Sequence, residues 1–244
     1  MVPAWLHILA VASLILGAAC AAAIAADLLR HPQQMWIMNV VWPVVALFAH
    51  VVALWGYLRY GRLAAREVVA ASRERGETPP HLRTIPFPVQ VAKGTAHCGA
   101  GCTLGDLAAE WLLVAVPGAA AAFGLGTLFP ERIFAAWVLD YLFAMAFGIA
   151  FQFFTIRPMR NLSVGRGLVE AAKADTLSLT SWQVGMYGFM AFAHFWLFGR
   201  VWGTPLRPAS AEFWFMMQLA MLLGFVTAYP VNWWLLRAGV KEAM

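Results

Sequence analysis

Residues 94–111 read Gly-Thr-Ala-His-Cys-Gly-Ala-Gly-Cys-Thr-Leu-Gly-Asp-Leu-Ala-Ala-Glu-Trp. The fourteen residues from 97 to 110 hold His97, Cys98, Cys102, Asp106 and Glu110, and so two of the three cysteines of the chain. Thiolate and imidazole are ligands for copper(I), zinc and iron–sulfur centres, while carboxylates carry protons or hold harder cations. Cys98, Cys102, Asp106 and Glu110 are each four apart. On an α-helix that spacing keeps neighbours on one slowly drifting face. The rise from Cys98 to Glu110 is about 18 Å, more than half of a membrane's apolar core.

The cysteine pair has three readings. With His97 and Asp106 it is a soft-metal site. As a dithiol it is a redox pair, provided Gly99 and Gly101 unwind the turn, because a regular helix holds thiols four apart too far from each other for a disulfide. In the third reading the cysteines only pack, beside small residues that let helices approach closely. The adjacent His97 favours the metal.

Other polar residues stand at helical spacing in apolar surroundings. Asp140 falls deep in its segment, at a depth similar to Glu110, and ionisable groups at such depth are costly and usually functional. Met186, Met190 and His194 are four apart, and so are Met217 and Met221. Thioether sulfur is a soft ligand, although a methionine stripe is more often core filler. His50 lies within another apolar run. Together these residues outline a second site or relay: His194, Met190, Met186, Asp140, Glu110 and His50, leading to the cysteine end.

The elements that must position them are membrane helices. Of 244 residues, 62% are hydrophobic and 12% charged, about half the charge of an ordinary soluble domain. Apolar runs near residues 3–29, 34–58, 99–128, 133–156, 177–198 and 212–236 each have the length of a spanning helix. The expected fold is all-α, a polytopic bundle of six transmembrane helices. Residues 1–60 form two N-terminal helices. Residues 61–96 form a basic, proline-rich connection, irregular over 76–96 because of its prolines. Residues 97–244 form a four-helix domain that carries the His-Cys-x3-Cys motif, with a short basic tail. Thirteen Lys and Arg fall on the side of the 61–96 connection and four on the other, so both termini are expected in the cytoplasm. The net charge of +5 has its source in that asymmetry, and no nucleic-acid partner is implied.

The stretch Gly94-Thr95-Ala96-His97-Cys98-Gly99-Ala100-Gly101-Cys102-Thr103-Leu104-Gly105-Asp106 resembles the signature of a family of mainly bacterial multi-pass membrane proteins described as domain of unknown function 4396. The resemblance covers about residues 85–235, with the first two spans as an N-terminal addition. It implies a protein of the bacterial cytoplasmic (inner) membrane and transfers no catalytic residues.

The function expected from the residues is binding of a soft transition metal, copper first, and its movement or delivery across the membrane. The partners expected are the lipid bilayer and the metal ion, with further copies of the chain or a membrane complex as protein partners. One alternative is a membrane-embedded oxidoreductase that uses the thiol pair or a metal centre. Another is a non-catalytic assembly or scaffold protein whose polar residues hold helices together.

Overall fold

The structure is a computed structural model that describes residues 2–241. The described residues form helices and no β-sheet, with two isolated bridges in loops. The long helices are α1 (Ala4–Arg30), α2 (Met38–Gly56), α5 (Phe87–Ala115), α7 (Arg132–Arg160), α8 (Val164–Ala191) and α9 (Ala211–Arg237). Short helices α3 (Arg66–Glu74), α4 (Pro80–Arg83) and α6 (Ala119–Ala122) lie in the connections. A π-helical turn at Tyr57–Gly61 extends α2, and a longer one at Phe192–Val201 extends α8.

Five helices are long and apolar enough to cross a membrane: α1, α2 with its extension to Ala64, α5, α7 and α9. α8 is not among them, because its first half carries Arg166, Glu170, Lys173 and Asp175.

Two expected boundaries move. The stretch 76–96 is not irregular, since it holds α4 and the first ten residues of α5. Its prolines start helices there. Pro80 and Pro88 occupy first-turn positions, where a missing N–H costs nothing. The expected third span of 99–128 therefore runs instead from Phe87 to Ala115 and stops two residues before Pro117. The boundary drawn at 96/97 falls inside α5, and the Cys98–Cys102 turn lies at the middle of that helix instead of at its mouth.

α5 is the enclosed helix of the bundle. In its most apolar stretch 61% of residues are buried, against 22–44% in the other four spans. It lies antiparallel to α7 in very close contact. An added Cβ at Gly101 would sit 2.9 Å from Gly148 Cα, and one at Gly105 would fall on the Ala144 backbone. Two residues before Gly101, Gly99 lies under the Trp182 ring. The helix runs unbroken through Gly99 and Gly101, so these glycines serve close approach and the thiols stay on successive turns. α8 and α9 pair antiparallel through Ser181 and Thr227, whose hydroxyls donate to each other's backbone carbonyls at 2.9 and 2.8 Å.

The N-terminal hairpin α1–α2 packs on this unit. His7 Nδ1 meets Glu212 Oε1 at 2.7 Å, and Gln218 donates to Leu47 O at 2.6 Å. At the opposite end of α1, Asp27 accepts from Tyr57 at 2.6 Å and from Arg62. α1 leaves Trp5, Ile8, Ile15 and Leu29 exposed, the surface a lipid-facing helix presents.

The close α5–α7 crossing makes a paired prediction. Gly105→Val should lower thermal stability in detergent by about 1–3 kcal/mol, the usual cost of forced overpacking. Gly94→Ala, with open space at its Cβ position, should be neutral or slightly stabilising. Equal unfolding temperatures for the two variants would remove the crossing as a constraint.

Candidate functional site

Cys98 and Cys102 are fully buried and unoxidised. Cys98 donates its thiol hydrogen to Asp175 Oδ1 at 2.6 Å. On its other side the Lys241 ammonium donates to Cys98 Sγ at 2.7 Å and to Asn232 Oδ1 at 2.8 Å, and stands 3.7 Å from Asp175 Oδ1. Asn232 is fixed in turn, because its amide donates to Ser178 Oγ at 2.6 Å and to Ala228 O at 3.0 Å. The cluster thus joins α5, α8, α9 and the segment after α9.

Local sequence explains how each member arrives. α8 begins at Val164 and so carries Asp175 within its first half; the expected span began only at residue 177. Asp175 passes over Gly148, where a Cβ would lie 2.5 Å from its Oδ2. Lys241 arrives by a turn at the end of α9. Gly239 has φ +69°, Val240 N–H bonds Leu235 O at 3.1 Å, and Gly239 N–H bonds Leu236 O at 3.3 Å. That is the Schellman ending of a helix, and it folds the chain back onto the bundle. The short basic tail buries its lysine to 2% exposure. Burial disfavours the Lys241 charge, but Cys98 and Asp175 outweigh it and hold its pKa above the ordinary lysine value.

His97 also is buried, with its ring edge-on to Phe151 at 5.9 Å and neither nitrogen hydrogen-bonded. It is not in the Cys98 cluster, although the Lys241 charge acts on it. Cys102 lies one turn further along, with Asp106 and Asp175 as its nearest charges.

Beyond Cys102 comes a carboxyl layer. The α5–α7 register puts Asp140 level with Ala109, beside Glu110, so the two share a level as expected, but Glu110 stands near the Ala115 end of α5 instead of at mid-span, because the helix starts at Phe87. The charges of Asp106, Glu110 and Asp140 act on one another. Both oxygens of Asp106, Oε2 of Glu110 and Oδ1 of Asp140 are buried without a hydrogen bond, and so are both side-chain polar atoms of Gln183. Tyr187, whose hydroxyl donates to Trp137 O at 2.9 Å, closes this layer.

The remaining predicted residues lie apart. Met186 and Met190 are buried in the main apolar core. His194 lies in the π-helical extension of α8 and lines a cleft with Glu131 at the end of the bundle away from Lys241. His50 sits at a break in α2, with φ +46°, near Gly17 and Gln218. Met217 and Met221 line a cavity of about 280 Å³ with Leu14, Phe48, Thr103 and Trp214, and Thr103 donates to Met221 Sδ at 3.6 Å. Among the described residues no group of three or more His, Cys, Asp or Glu side chains is arranged to hold a metal ion. The residues that sequence reasoning missed are Asp175, Asn232, Lys241 and Gln183. Gly239, placed just past a helix end, was the signal for the turn that returns Lys241.

The Asp175–Lys241 pair has side chains 1% and 0% exposed, so removing one partner leaves a buried charge behind. Asp175→Asn or Lys241→Gln alone should cost about 3–5 kcal/mol. The double variant should cost less than the sum by about 0.5–3 kcal/mol, as coupled neighbours do. Strictly additive losses in thermal unfolding would mean the two are not a functioning pair.

The comparisons bear on the half of the chain that holds this cluster. No curated protein and no solved structure matches the chain. A family described as a domain of unknown function, DUF4396, matches residues 89–241, well over half of the chain. The match runs from the first turn of α5 to Lys241, so it takes in the whole polar interior and leaves α1 and α2 outside. The chain therefore belongs to the DUF4396 family.

Proposed function

We propose that the chain passes a cation across the membrane through its α5–α7–α8–α9 half, with a soft metal ion, copper(I) in the first place, as the cargo that its thiol end selects. What supports this reading is the row of buried polar atoms without a hydrogen bond: both nitrogens of His97, both oxygens of Asp106, Oε2 of Glu110, Oδ1 of Asp140, Oδ2 of Asp175 and the amide of Gln183. Buried polar groups are ordinarily hydrogen-bonded, and an unpaired one costs about 1–3 kcal/mol. A bundle that keeps several of them along one interface is built for a visitor that satisfies them in turn. Their order sorts the chemistry: thiols and imidazole meet a soft ion, and carboxyls one turn beyond accept protons or neutralise it. The row is spaced along α5 instead of gathered at one point, as a path requires and a resident metal centre does not.

In this reading α8 and its π-helical extension make the sixth span. Both termini face the cytoplasm of a bacterial cell, on the thirteen-to-four distribution of Lys and Arg. Reporters fused at residue 77 and after residue 237 should both report cytoplasm. An external signal at either position overturns the topology.

The transport reading is tested in proteoliposomes with a pH dye inside and silver(I), a redox-stable stand-in for copper(I), outside. Wild type should take up silver above the level of empty vesicles, and Cys98→Ser should abolish uptake. Glu110→Gln should keep silver binding at the thiols but slow uptake at least tenfold if Glu110 relays protons, because an amide does not titrate. Full uptake in Glu110→Gln removes the relay. No uptake by wild type removes the transport reading.

A further inference from the structure

The Lys241 ammonium occupies the place a cargo ion would take. It is bonded to one sulfur and one amide oxygen and faces one carboxylate, with no other polar partner among the described residues. All of its neighbours are fixed from behind. Asn232 is held by Ser178, and Asp175 is walled by Gly148. Asp175 Oδ2 is buried and still has no hydrogen bond, so the pocket retains an unused ligand atom beside the occupied one. The lysine reaches the site on a short segment that the Gly239 turn folds back.

We propose that Cys98, Asp175 and Asn232 form a cation site whose resident occupant is the ammonium of Lys241, and that a soft monovalent metal ion binds there by displacing the tail. The identity of the metal rests on the proposed function above; the exchange itself does not. Charge and protons balance in the exchange. With the tail docked, Lys241 is positive, Asp175 is negative and Cys98 is a neutral thiol. When the metal binds, one metal–sulfur bond forms. The thiol proton, already directed at Asp175 Oδ1, passes to that carboxylate, and the ammonium withdraws with its charge. The buried charge is unchanged, so replacing a tethered cation by a free one adds no new charge to the interior. Thiolate preference then selects copper(I) or silver(I) over a hard cation. An ion that fails to form the sulfur bond does not repay the loss of the lysine's two hydrogen bonds, so the tail excludes it.

The chain has three lysines, which allows a direct measurement on the wild-type protein in nanodiscs. Lys173 is exposed, with 66% of its side chain accessible, and Lys93 is buried. An amine-reactive ester followed by peptide mass spectrometry should label Lys173 quickly and leave Lys93 and Lys241 nearly untouched. One equivalent of silver(I) should raise labelling of Lys241 at least tenfold and leave Lys93 unchanged, and Cys98→Ser should abolish the rise. Gly239→Ala, which disfavours the φ +69° turn but keeps the lysine, should bind silver about tenfold more tightly in competition with a chromophoric chelator. Silver that binds through Cys98 without exposing Lys241 overturns the exchange and leaves the metal reading standing. Rapid labelling of Lys241 without metal overturns the docked tail. A silver-induced rise that survives Cys98→Ser reports unfolding and overturns the site. No silver binding in wild type or in Gly239→Ala overturns both the exchange and the soft-metal cargo, whereas exchange without vesicle uptake overturns transport alone.

Discussion

The closeness of α5 to α7 is the constraint on which the interior depends. Gly101 against Gly148 and Gly105 against Ala144 bring two backbones into contact over a full helical turn. In lipid there is no hydrophobic force between helices, so dispersion and shape hold such a contact, and only small residues permit it. The consequence is positional. With the helices pressed together here, groups one turn to either side are forced into the shared interior. Cys98 is carried toward α8 and α9 on one side, and Glu110 meets Asp140 on the other. Gly148 has a double part, since the space left by its missing side chain is where Asp175 passes.

That placement carries an energetic burden. Asp106, Glu110, Asp140, Asp175, Lys93 and Lys241 are all nearly excluded from solvent. Charges in a membrane interior are costly unless they are paired, neutralised or fed by water. The structure handles the two ends of the interior differently. At the Cys98 end a lysine is brought in from outside the helices and one carboxylate is paired. At the Glu110 end three carboxyls share a space with no buried cation among them, so like charges there oppose joint ionisation. One end therefore holds a fixed positive charge, and the other is the end to which the proposed reading assigns the protons.

Much of this was legible in the sequence. The motif residues, their common helix, the shared level of Glu110 and Asp140 and the membrane character all follow from spacing and hydropathy. The limits of α5 did not, because a proline that breaks one helix can start another: Pro80 and Pro88 stand in first turns, and Pro117 follows the end of α5. Asp175 was missed because a hydropathy boundary cut α8 before its last polar turn. Lys241 is the more instructive case. Counted as a topological charge, it was one of thirteen, and nothing in a charge count distinguishes a lysine in water from one returned into the bundle. The glycine two residues before it carried that information, through the backbone conformation that it alone adopts easily. His50, His194 and the methionines were grouped with the thiols by ligand chemistry alone, and tertiary packing distributes them among separate helix contacts.

The lysine also bears on why the motif offers ligands that the fold does not gather. A metal centre assembled in advance would bring three or more His, Cys or carboxylate ligands together, and among the described residues none is assembled so. The motif nevertheless supplies a thiol, and the fold gives it a carboxylate, an amide oxygen and a cation. A site that has to release its cargo gains nothing from a complete, tight cage, because an ion held by every ligand at once has no reason to leave. In the exchange proposed above, one thiolate and a tethered competitor give weaker net binding and a defined exit: when the tail returns, the ammonium recovers its bonds and the metal loses its sulfur. The incomplete ligand set and the buried lysine are then two parts of one arrangement, in which binding is reversible because the protein carries the replacement ion on its own chain.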